Sequence, residues 1–345
     1  MEANSEVLFE RRGELGLITL NRPKALNALT ESMCATMDDQ LARWQDDPSV
    51  AAVVVRGAGE RAFCAGGDIR ALYEAGRAGG AGATDFYRRE YRLNTRIKYF
   101  PKPYIALLHG IVMGGGVGVS VHGSHRIVDA TAVFAMPETG IGLFPDVGGS
   151  YFLPRLPGET GMYLALTGAR LKSADMAYTG IGTHCVASSN WDLLIARLAE
   201  GAPVDEALAG LASDAGVPPL AEYRTTIDRC FAEDCVEAVL AALDDAPDDW
   251  AASVAATIRT KSPMSLKISF RELREGRRLA FDACMRMEFR MVSRVMAGED
   301  FFEGVRATII DKHNSPVWRP ATLAEVSDAD IDAYFAPLGE KELGS

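Results

Sequence analysis

The sequence predicts an α/β fold whose first 200 residues alternate strands with helices and whose remainder is mainly helical. In the first part, apolar runs rich in β-branched residues alternate with segments of helical period. Residues 201 to 220 are rich in Ala, Gly and Pro, which predicts a boundary there. Beyond it the apolar residues keep the helical period to about residue 300. We therefore expect a core at residues 1 to 200 and a helical C-terminal region at residues 201 to 345 that packs on it.

The first elements follow from local patterns. Val7 to Arg11 and Gly16 to Leu20 are typical of paired strands, and Ala51 to Gly57 is a continuous apolar run typical of a strand covered on both faces. Between them Thr30 is placed to cap a helix with four large apolar residues on one face, namely Met33, Met37, Leu41 and Trp44. That face predicts core packing.

The next elements continue the alternation. A helix is expected after Asp68, and the glycine-rich residues 76 to 84 predict a mobile loop. A helix from Asp85 to Tyr99 and a buried strand from Tyr104 to Leu108 follow. After a glycine turn we expect another helix and then a strand from His125 to Ala130.

Two helices are predicted in the C-terminal region. Ser262 and Pro263 are a helix start, because serine caps the first turn and proline fits its first position. Leu279 to Ala297 is apolar on more than one side, which predicts burial against other helices or a neighbouring subunit.

Charge and composition limit the partners. The net charge is −11, whereas nonspecific nucleic-acid binding needs clustered positive charge. No apolar run reaches membrane-spanning length, because the longest, Ile111 to Val121, is broken by glycines. Six scattered cysteines without a CxxC pair, and an N-terminus without an apolar signal stretch, predict a reduced cytoplasmic protein.

Two glycine motifs predict backbone amides that face a ligand. The segment His109 to Gly118 has three successive glycines between a strand and a helix, where Gly115 has an unpaired amide and no Cβ to block a ligand. Phe63 to Ile69 also follows a strand and opens a helix, and presents a second amide at Gly67. Two converging amides would stabilise a tetrahedral thioester intermediate. The three successive glycines taken alone also fit a turn glycine with tight helix packing.

A carboxylate pair follows. Glu138 and Asp146 stand eight residues apart in the segment from Met136 to Gly149, where a loop can fold both onto one point. From local sequence alone, a helix cap or a solvated turn explains either carboxylate equally well.

Together these segments resemble the enoyl-CoA hydratase/isomerase superfamily, or crotonase fold, as does Leu20 to Ala28. The resemblance implies a ClpP/crotonase-like spiral of ββα units with Gly67 and Gly115 as the oxyanion amides. It also implies that one set of residues binds the coenzyme A moiety, namely Lys24, Ala25, Leu26, Ala65, Asp68 and Ile69. Hydratases of this superfamily carry a further glutamate where this chain has Gly118, so the hydratase pattern is incomplete.

The chain is most similar to the 3-hydroxyisobutyryl-CoA hydrolases of this superfamily. The similar segments include residues 113–123 and 134–156 and, in the C-terminal third, Glu303 to Ala307. The subfamily also has a site glutamate that matches Glu90, although a surface salt bridge would explain Glu90 from local sequence. His313 departs from the subfamily pattern, where Asp is expected.

The resemblance implies hydrolysis of a short 3-hydroxyacyl-CoA, most simply 3-hydroxyisobutyryl-CoA in valine catabolism. Glu138 would either attack the carbonyl or activate water, and the sequence leaves both open. Asp146 would protonate the thiolate or hold water, and Glu90 would recognise the substrate hydroxyl. Coenzyme A is part of the substrate, and no metal or other cofactor is expected.

Other interpretations remain at this stage. A hydratase or isomerase is the enzymatic alternative, and a noncatalytic acyl-CoA-binding scaffold is the alternative of another class. The superfamily also leads us to expect a homo-oligomer, either a trimer or a hexamer.

Overall fold

The computed structural model describes residues 5–78 and 82–344. The strands of this part are β1 (Val7–Arg12), β2 (Leu15–Leu20), β3 (Ala52–Gly57), β4 (Ala62–Cys64), β5 (Tyr104–Leu108), β6 (Ile111–Met113), β7 (His125–Val128), β8 (Val133–Ala135), β9 (Leu171–Lys172), β10 (His184–Val186) and β11 (Ala212–Ser213).

The helices follow in the same numbering. They are α1 (Glu31–Asp46), α2 (Ile69–Arg77), α3 (Gly82–Lys98), α4 (Gly115–Gly118), α5 (Gly149–Phe152), α6 (Thr160–Thr167), α7 (Ser173–Thr179), α8 (Trp191–Ala199), α9 (Val204–Leu208), α10 (Arg224–Cys230), α11 (Val236–Asp244), α12 (Asp249–Ile258), α13 (Pro263–Gly276), α14 (Phe281–Val295), α15 (Asp300–Val305) and α16 (Asp328–Phe335). Of the loop predicted at 76–84, residues 79–81 lie outside the described residues. The prediction is wrong at its two ends, because α2 continues to Arg77 and α3 already begins at Gly82.

Two sheets organise the strands. The larger has the order β1-β2-β3-β5-β7-β10-β11, in which β2, β3, β5, β7 and β10 run parallel and the two edge strands are antiparallel to their neighbours. The smaller sheet has the order β4-β6-β8-β9. Its strands have only two or three residues, too few to show an alternating pattern, which is why the sequence did not predict them.

The chain forms two compact units, each built from three separate segments. The first contains Met1–Gly67, Arg92–Phe134 and Leu171–Ala221, and the second contains Asp68–Tyr91, Ala135–Arg170 and Glu222–Ser345. This division follows compactness rather than chain order. The predicted domain boundary near residue 200 stays a prediction.

The core of the first unit lies against the larger sheet. Alternate residues of β2 and β3, including Leu17 and Val54, pack with Trp191 and Leu194 of α8. Helix α1 begins as expected, because the Thr30 hydroxyl accepts a hydrogen bond from the Met33 amide, and its predicted apolar face is buried. The turns described below follow β2 of this sheet and β4 and β6 of the smaller sheet.

The second unit is mainly helical. Helix α6 is buried along its whole length, and α13 is capped by Ser262 with Pro263 in its first turn, as the sequence predicts. Helix α14 is buried on most sides, in agreement with its composition, and it packs against α5, α13 and α16. Its buried residues include one acidic side chain, Glu288.

Candidate active site

In the first unit, the loop after β2 is fixed by Asn27, which is fully buried at 0% exposure. Its side-chain amide donates to the carbonyls of Ala58 and Ala62, and its side-chain oxygen accepts from the Arg22 amide. Leu26 and Asn27 both have positive φ, so the loop turns sharply at this point. The result is an exposed Lys24 at the tip of a rigid loop.

This loop joins the first glycine motif. The Ala65 amide donates to the Leu26 carbonyl, and the Leu29 amide donates to the Gly66 carbonyl. Of the residues that the resemblance assigns to coenzyme A, Lys24, Ala25, Leu26 and Ala65 therefore lie together. Asp68 and Ile69 belong to the second unit, where Asp68 caps α2 by accepting from the Ala71 amide at 3.3 Å.

The two glycine motifs lie side by side within the first unit. A Cβ built on Gly66 would lie 3.6 Å from the Gly115 nitrogen, so the two turns are in direct contact. Gly115 is the first residue of α4, where amides lack a partner in the helix. Within residues 5–78 and 82–344, the amides of Gly67 and Gly115 donate no hydrogen bond to another protein group. Two adjacent donors are thus available to an oxyanion.

The glycines beside Gly115 have different tasks. Gly114 has a φ of +48° and lets the chain turn into α4. A Cβ on Gly116 would lie 2.3 Å from the Cys64 carbonyl oxygen, so this position needs glycine for backbone packing. The packing interpretation therefore holds for Gly116.

The second unit brings together the three predicted carboxylates. Glu90 lies on α3, Glu138 begins the 3-10 segment Glu138–Ile141, and Asp146 precedes the turn into α5. Their exposed fractions are 2%, 4% and 3%. The charge of Asp146 raises the pKa of Glu138, and the charges of Asp146 and Glu138 raise the pKa of Glu90. The three carboxyl groups therefore lie close together. The surface salt-bridge interpretation of Glu90 does not fit a side chain this deeply buried.

These carboxylates have few hydrogen-bond partners. The Tyr91 hydroxyl donates to Oδ2 of Asp146 at 2.9 Å. Oε1 of Glu90 and Oε2 of Glu138 are buried and have no partner among the residues that the structure describes. Buried polar atoms are nearly always paired in folded proteins, so such exceptions indicate a site that receives a polar ligand.

Burial dominates the ionisation of this cluster. It raises the pKa of Asp146 to about 7, although the Tyr91 hydrogen bond opposes the shift. Burial, and then the charge of Asp146, raises the pKa of Glu138 well above its ordinary range. Burial followed by the charges of Asp146 and Glu138 does the same for Glu90. Shifts of this kind are common where carboxyl groups act as acids and bases.

The sequence analysis missed three residues around this cluster. Tyr91 is a hydrogen-bond donor to Asp146, and Glu272 and Glu288 are both at 0% exposure on α13 and α14. The available signal for Glu288 was a glutamate flanked by Met287 and Phe289 in a helix that is apolar on more than one side. No local signal distinguished Tyr91 from the other tyrosine of the same helix face, Tyr87.

The described residues contain neither a candidate membrane span nor a candidate metal cluster. In the described part of the chain, no helix is both long and apolar enough to cross a bilayer. Among the same residues, no group of three or more His, Cys, Asp and Glu side chains has an arrangement suited to a metal ion. The expectation of no metal remains a prediction.

Comparisons with known proteins agree with these features. A family model described as enoyl-CoA hydratase/isomerase matches residues 15–335. The mitochondrial 3-hydroxyisobutyryl-CoA hydrolase of Danio rerio is 48% identical over 99% of this chain and 92% of its own length. The enzyme of that name from Homo sapiens is 45% identical over 99% of this chain and 91% of its own length.

Two solved structures are similar over the whole chain. The structure titled as a carnitinyl-CoA dehydratase from Mycobacterium thermoresistibile has a TM-score of 0.94 and 45% identity, covering 99% of both chains. An enoyl-CoA hydratase from Rhodobacter sphaeroides 2.4.1 has a TM-score of 0.91 and 40% identity, covering 99% of this chain and 100% of its own. The predicted crotonase fold is confirmed by these similarities.

One expectation is contradicted. The curated relatives are named as mitochondrial proteins, so the predicted cytoplasmic localisation is wrong. The lack of disulfides indicates a reducing compartment only, and none of the six cysteines, all of which lie in the described residues, forms a disulfide. That observation could not identify the compartment.

The resemblance stated from the motifs is confirmed by a match over nearly the whole length and by the relatives' identity. The chain belongs to the enoyl-CoA hydratase/isomerase family.

Proposed function

We propose that the chain hydrolyses 3-hydroxyisobutyryl-CoA to 3-hydroxyisobutyrate and coenzyme A. The curated relatives of that name support the substrate, since they are 45% and 48% identical over 99% of this chain. The observation that carries the chemistry is the buried cluster of Glu90, Glu138 and Asp146, with carboxylate oxygens left unpaired. A hydrolase needs such groups to activate water or attack a carbonyl.

In the proposed mechanism, the Gly67 and Gly115 amides stabilise the oxyanion that forms when the thioester carbonyl is attacked. Lys24 to Leu26 and Ala65 to Ile69 hold the coenzyme A moiety. Glu138 then acts in one of two ways. Its carboxylate attacks the carbonyl carbon, expels the coenzyme A thiolate and leaves a mixed anhydride that water opens, or it takes a proton from a water that attacks directly. No metal or redox cofactor takes part in either route.

The order of ionisation bears on these roles. Without substrate, Asp146 has a pKa of about 7, and burial raises the pKa of Glu138 well above its ordinary range, so Asp146 ionises first. Catalysis needs the opposite arrangement, with Glu138 ionised and Asp146 protonated. We therefore include in the proposal that Asp146 takes up the proton of Glu138 when substrate binds and later gives it to the coenzyme A thiolate. Below the pKa of Asp146 both groups are protonated, and Glu138 cannot lose its proton this way.

Glu90 has the proposed task of recognising the substrate hydroxyl. Its Oε1 is buried and has no partner in the part of the chain that the structure describes, so a 3-hydroxyl group would satisfy it. An acyl group without the hydroxyl would leave this oxygen unpaired, which gives the selectivity a physical cause. A preference for 3-hydroxyisobutyryl-CoA would place the reaction in valine catabolism.

A hydratase or dehydratase is the second candidate, because the two solved relatives have titles that name such enzymes. Gly118 argues against it, since hydratases of the family carry a second glutamate at that position. A noncatalytic acyl-CoA-binding scaffold is the third candidate, and the retained carboxylates argue against it.

One substrate panel separates the three candidates. Purified protein is incubated with 3-hydroxyisobutyryl-CoA, 3-hydroxypropionyl-CoA, acetyl-CoA and crotonyl-CoA, and both thiol release and crotonyl absorbance are followed. We expect thiol release that is fastest with the two hydroxyacyl esters and no change in crotonyl absorbance. Loss of crotonyl absorbance without thiol release would support the hydratase, and no turnover of any ester would support the scaffold.

Assembly and compartment complete the proposal. We propose a homo-oligomer, a trimer or a hexamer, which light scattering after gel filtration would test. The names of the relatives lead us to propose mitochondria as the compartment. Fractionation of source cells, if these contain mitochondria, would test it.

A further inference from the structure

Glu288 is a fully buried glutamate that the mechanism above does not use. It lies on α14 at 0% exposure, among Met285, Met287, Phe289 and Met291. Burying a carboxylate is costly unless hydrogen bonds compensate for the lost water. Its position in an apolar helix therefore calls for partners, and the structure shows where they are.

All three of its donors lie just beyond Asp146. The Gly148 amide donates to one carboxylate oxygen of Glu288 at 2.8 Å. The Ser150 amide donates to the other oxygen at 3.0 Å, and the Ser150 hydroxyl donates to that same oxygen. Three donors directed at one carboxylate hold the backbone two to four residues after Asp146.

The backbone between Asp146 and these donors is strained. Val147 has a φ of +53°, a region that β-branched residues rarely adopt, and Gly148 follows with a φ of +88°. A strained residue persists only where its surroundings fix it, and such residues are common at functional sites. Here the strain lies at the residue directly after a site carboxylate.

We propose that Glu288 is a positioning residue: its carboxylate holds the strained turn Val147–Ser150 and thereby sets the position of Asp146. The Tyr91 hydroxyl holds the Asp146 side chain, and Glu288 holds the backbone that follows Asp146 through the Gly148 amide. A second contact supports the turn, because a Cβ on Gly276 of α13 would lie 2.0 Å from the Ser150 carbonyl oxygen. This inference rests on the proposed function for its kinetic consequence.

Glu288→Gln is the test variant, because it keeps the size of the side chain but replaces one acceptor oxygen with a donor. An NH2 group facing the Gly148 or Ser150 amides cannot accept, so the turn loses at least one bond. Displacing a reacting group by about 1 Å can cost about a hundredfold in rate. We expect kcat for 3-hydroxyisobutyryl-CoA to fall about 10- to 100-fold at pH 9, where Glu288, with a pKa of about 8, is ionised, while KM changes less than about threefold.

Glu275→Gln is the matched control. Glu275 lies on the exposed face of α13, where its side chain pairs with Arg271. An exposed ion pair contributes little to stability, so this variant makes the same chemical change outside the carboxylate cluster. Its kcat should stay within about twofold of the wild-type value.

Ser150→Ala tests the same turn without touching α14. It removes the hydroxyl donor to Glu288 and keeps the amide donor, so kcat should fall less than in Glu288→Gln. In the double variant the two effects should not multiply, because both act through one set of bonds. If Glu288→Gln fails to fold, Ser150→Ala alone carries the kinetic test.

Hydrogen exchange gives a readout that does not depend on activity. Glu288→Gln should speed amide exchange in a peptide covering residues 146–150, and Glu275→Gln should leave that exchange unchanged. If wild-type protein releases no thiol, the proposed function fails, while the exchange measurement still tests the turn. The proposal is overturned if Glu288→Gln keeps wild-type kcat, if KM rises while kcat does not fall, or if exchange at residues 146–150 is unaffected.

Discussion

The hydrogen bond from Tyr91 to Asp146 can be removed by a single-atom change, Tyr91→Phe. The hydroxyl donates at 2.9 Å to a carboxylate that is 3% exposed, so water does not replace it easily. A hydrogen bond to a charged group contributes about 1.5–3 kcal/mol. One pKa unit corresponds to 1.36 kcal/mol, so losing the bond should raise the pKa of Asp146 by about 1–2 units.

The direction of the kinetic effect follows from the roles proposed for the two carboxylates. Asp146 has a pKa of about 7, and turnover should decline as the pH falls through that value. In Tyr91→Phe the decline should begin about 1–2 pH units higher, because the ionised carboxylate has lost a stabilising donor. The variant should therefore be slow at pH 7 and approach the wild-type rate at pH 9.5.

The assay is kcat for thiol release from 3-hydroxyisobutyryl-CoA, measured every half unit from pH 5.5 to 10. Tyr223→Phe is the control, because it removes a tyrosine hydroxyl outside the carboxylate cluster and keeps the ring that stacks on Trp250. Its profile should coincide with the wild-type profile. If Tyr91→Phe also coincided with the wild type, Asp146 would not be the group that controls the acid limb, and the proposed proton transfer would be wrong.

Three further predictions concern the backbone donors, selectivity and stability. Gly115→Val should lower kcat by about a hundredfold or more, because losing one oxyanion donor costs on the order of 3 kcal/mol. Gly118→Ala should be tolerated. Equal losses of kcat in the two folded variants would contradict this prediction. Glu90→Ala should shrink the preference for 3-hydroxyisobutyryl-CoA over isobutyryl-CoA, a preference we expect to be worth about 1–3 kcal/mol, and equal wild-type kcat/KM on the two esters would remove Glu90 from recognition. Burial raises the pKa of Asp146 to about 7 and the pKa of Glu288 to about 8. From about pH 4 to pH 8 the folded protein therefore holds more protons than the unfolded chain. Its free energy of unfolding should decrease as the pH rises through that range. Thermal unfolding should therefore give a lower Tm at pH 8.5 than at pH 6, with a smaller difference in Glu272→Gln, and a wild-type Tm that rises with pH would contradict the burial argument.

Much of the first part of the fold could be predicted from the sequence. Strand β3 and helix α1 have long, unambiguous patterns, and the cap at Thr30 is a local signal. The four short strands of the smaller sheet could not be predicted, because two or three residues are too few to show an alternating pattern. The same holds for the grouping of chain segments into compact units, which no local pattern records.

The motifs predicted which carboxylates and glycines form the site, and the structure shows their burial and contacts. Local sequence explained Glu138 and Asp146 equally well as turn residues, and only the structure shows that both are buried beside Glu90. Tyr91 and Glu288 were missed because their contacts with residues 146–150 join chain segments 55 to 140 residues apart. Such contacts become visible only after folding.

The role of Glu138 is the central claim, and Glu138→Gln tests it most directly. The amide keeps the shape of the side chain and removes its capacity as base and nucleophile. The measurement is kcat for thiol release from 3-hydroxyisobutyryl-CoA, together with the directly determined affinity for the ester. We predict a loss of at least about a hundredfold in kcat with nearly unchanged affinity. A Glu138→Gln variant that releases thiol at close to the wild-type rate would contradict the account.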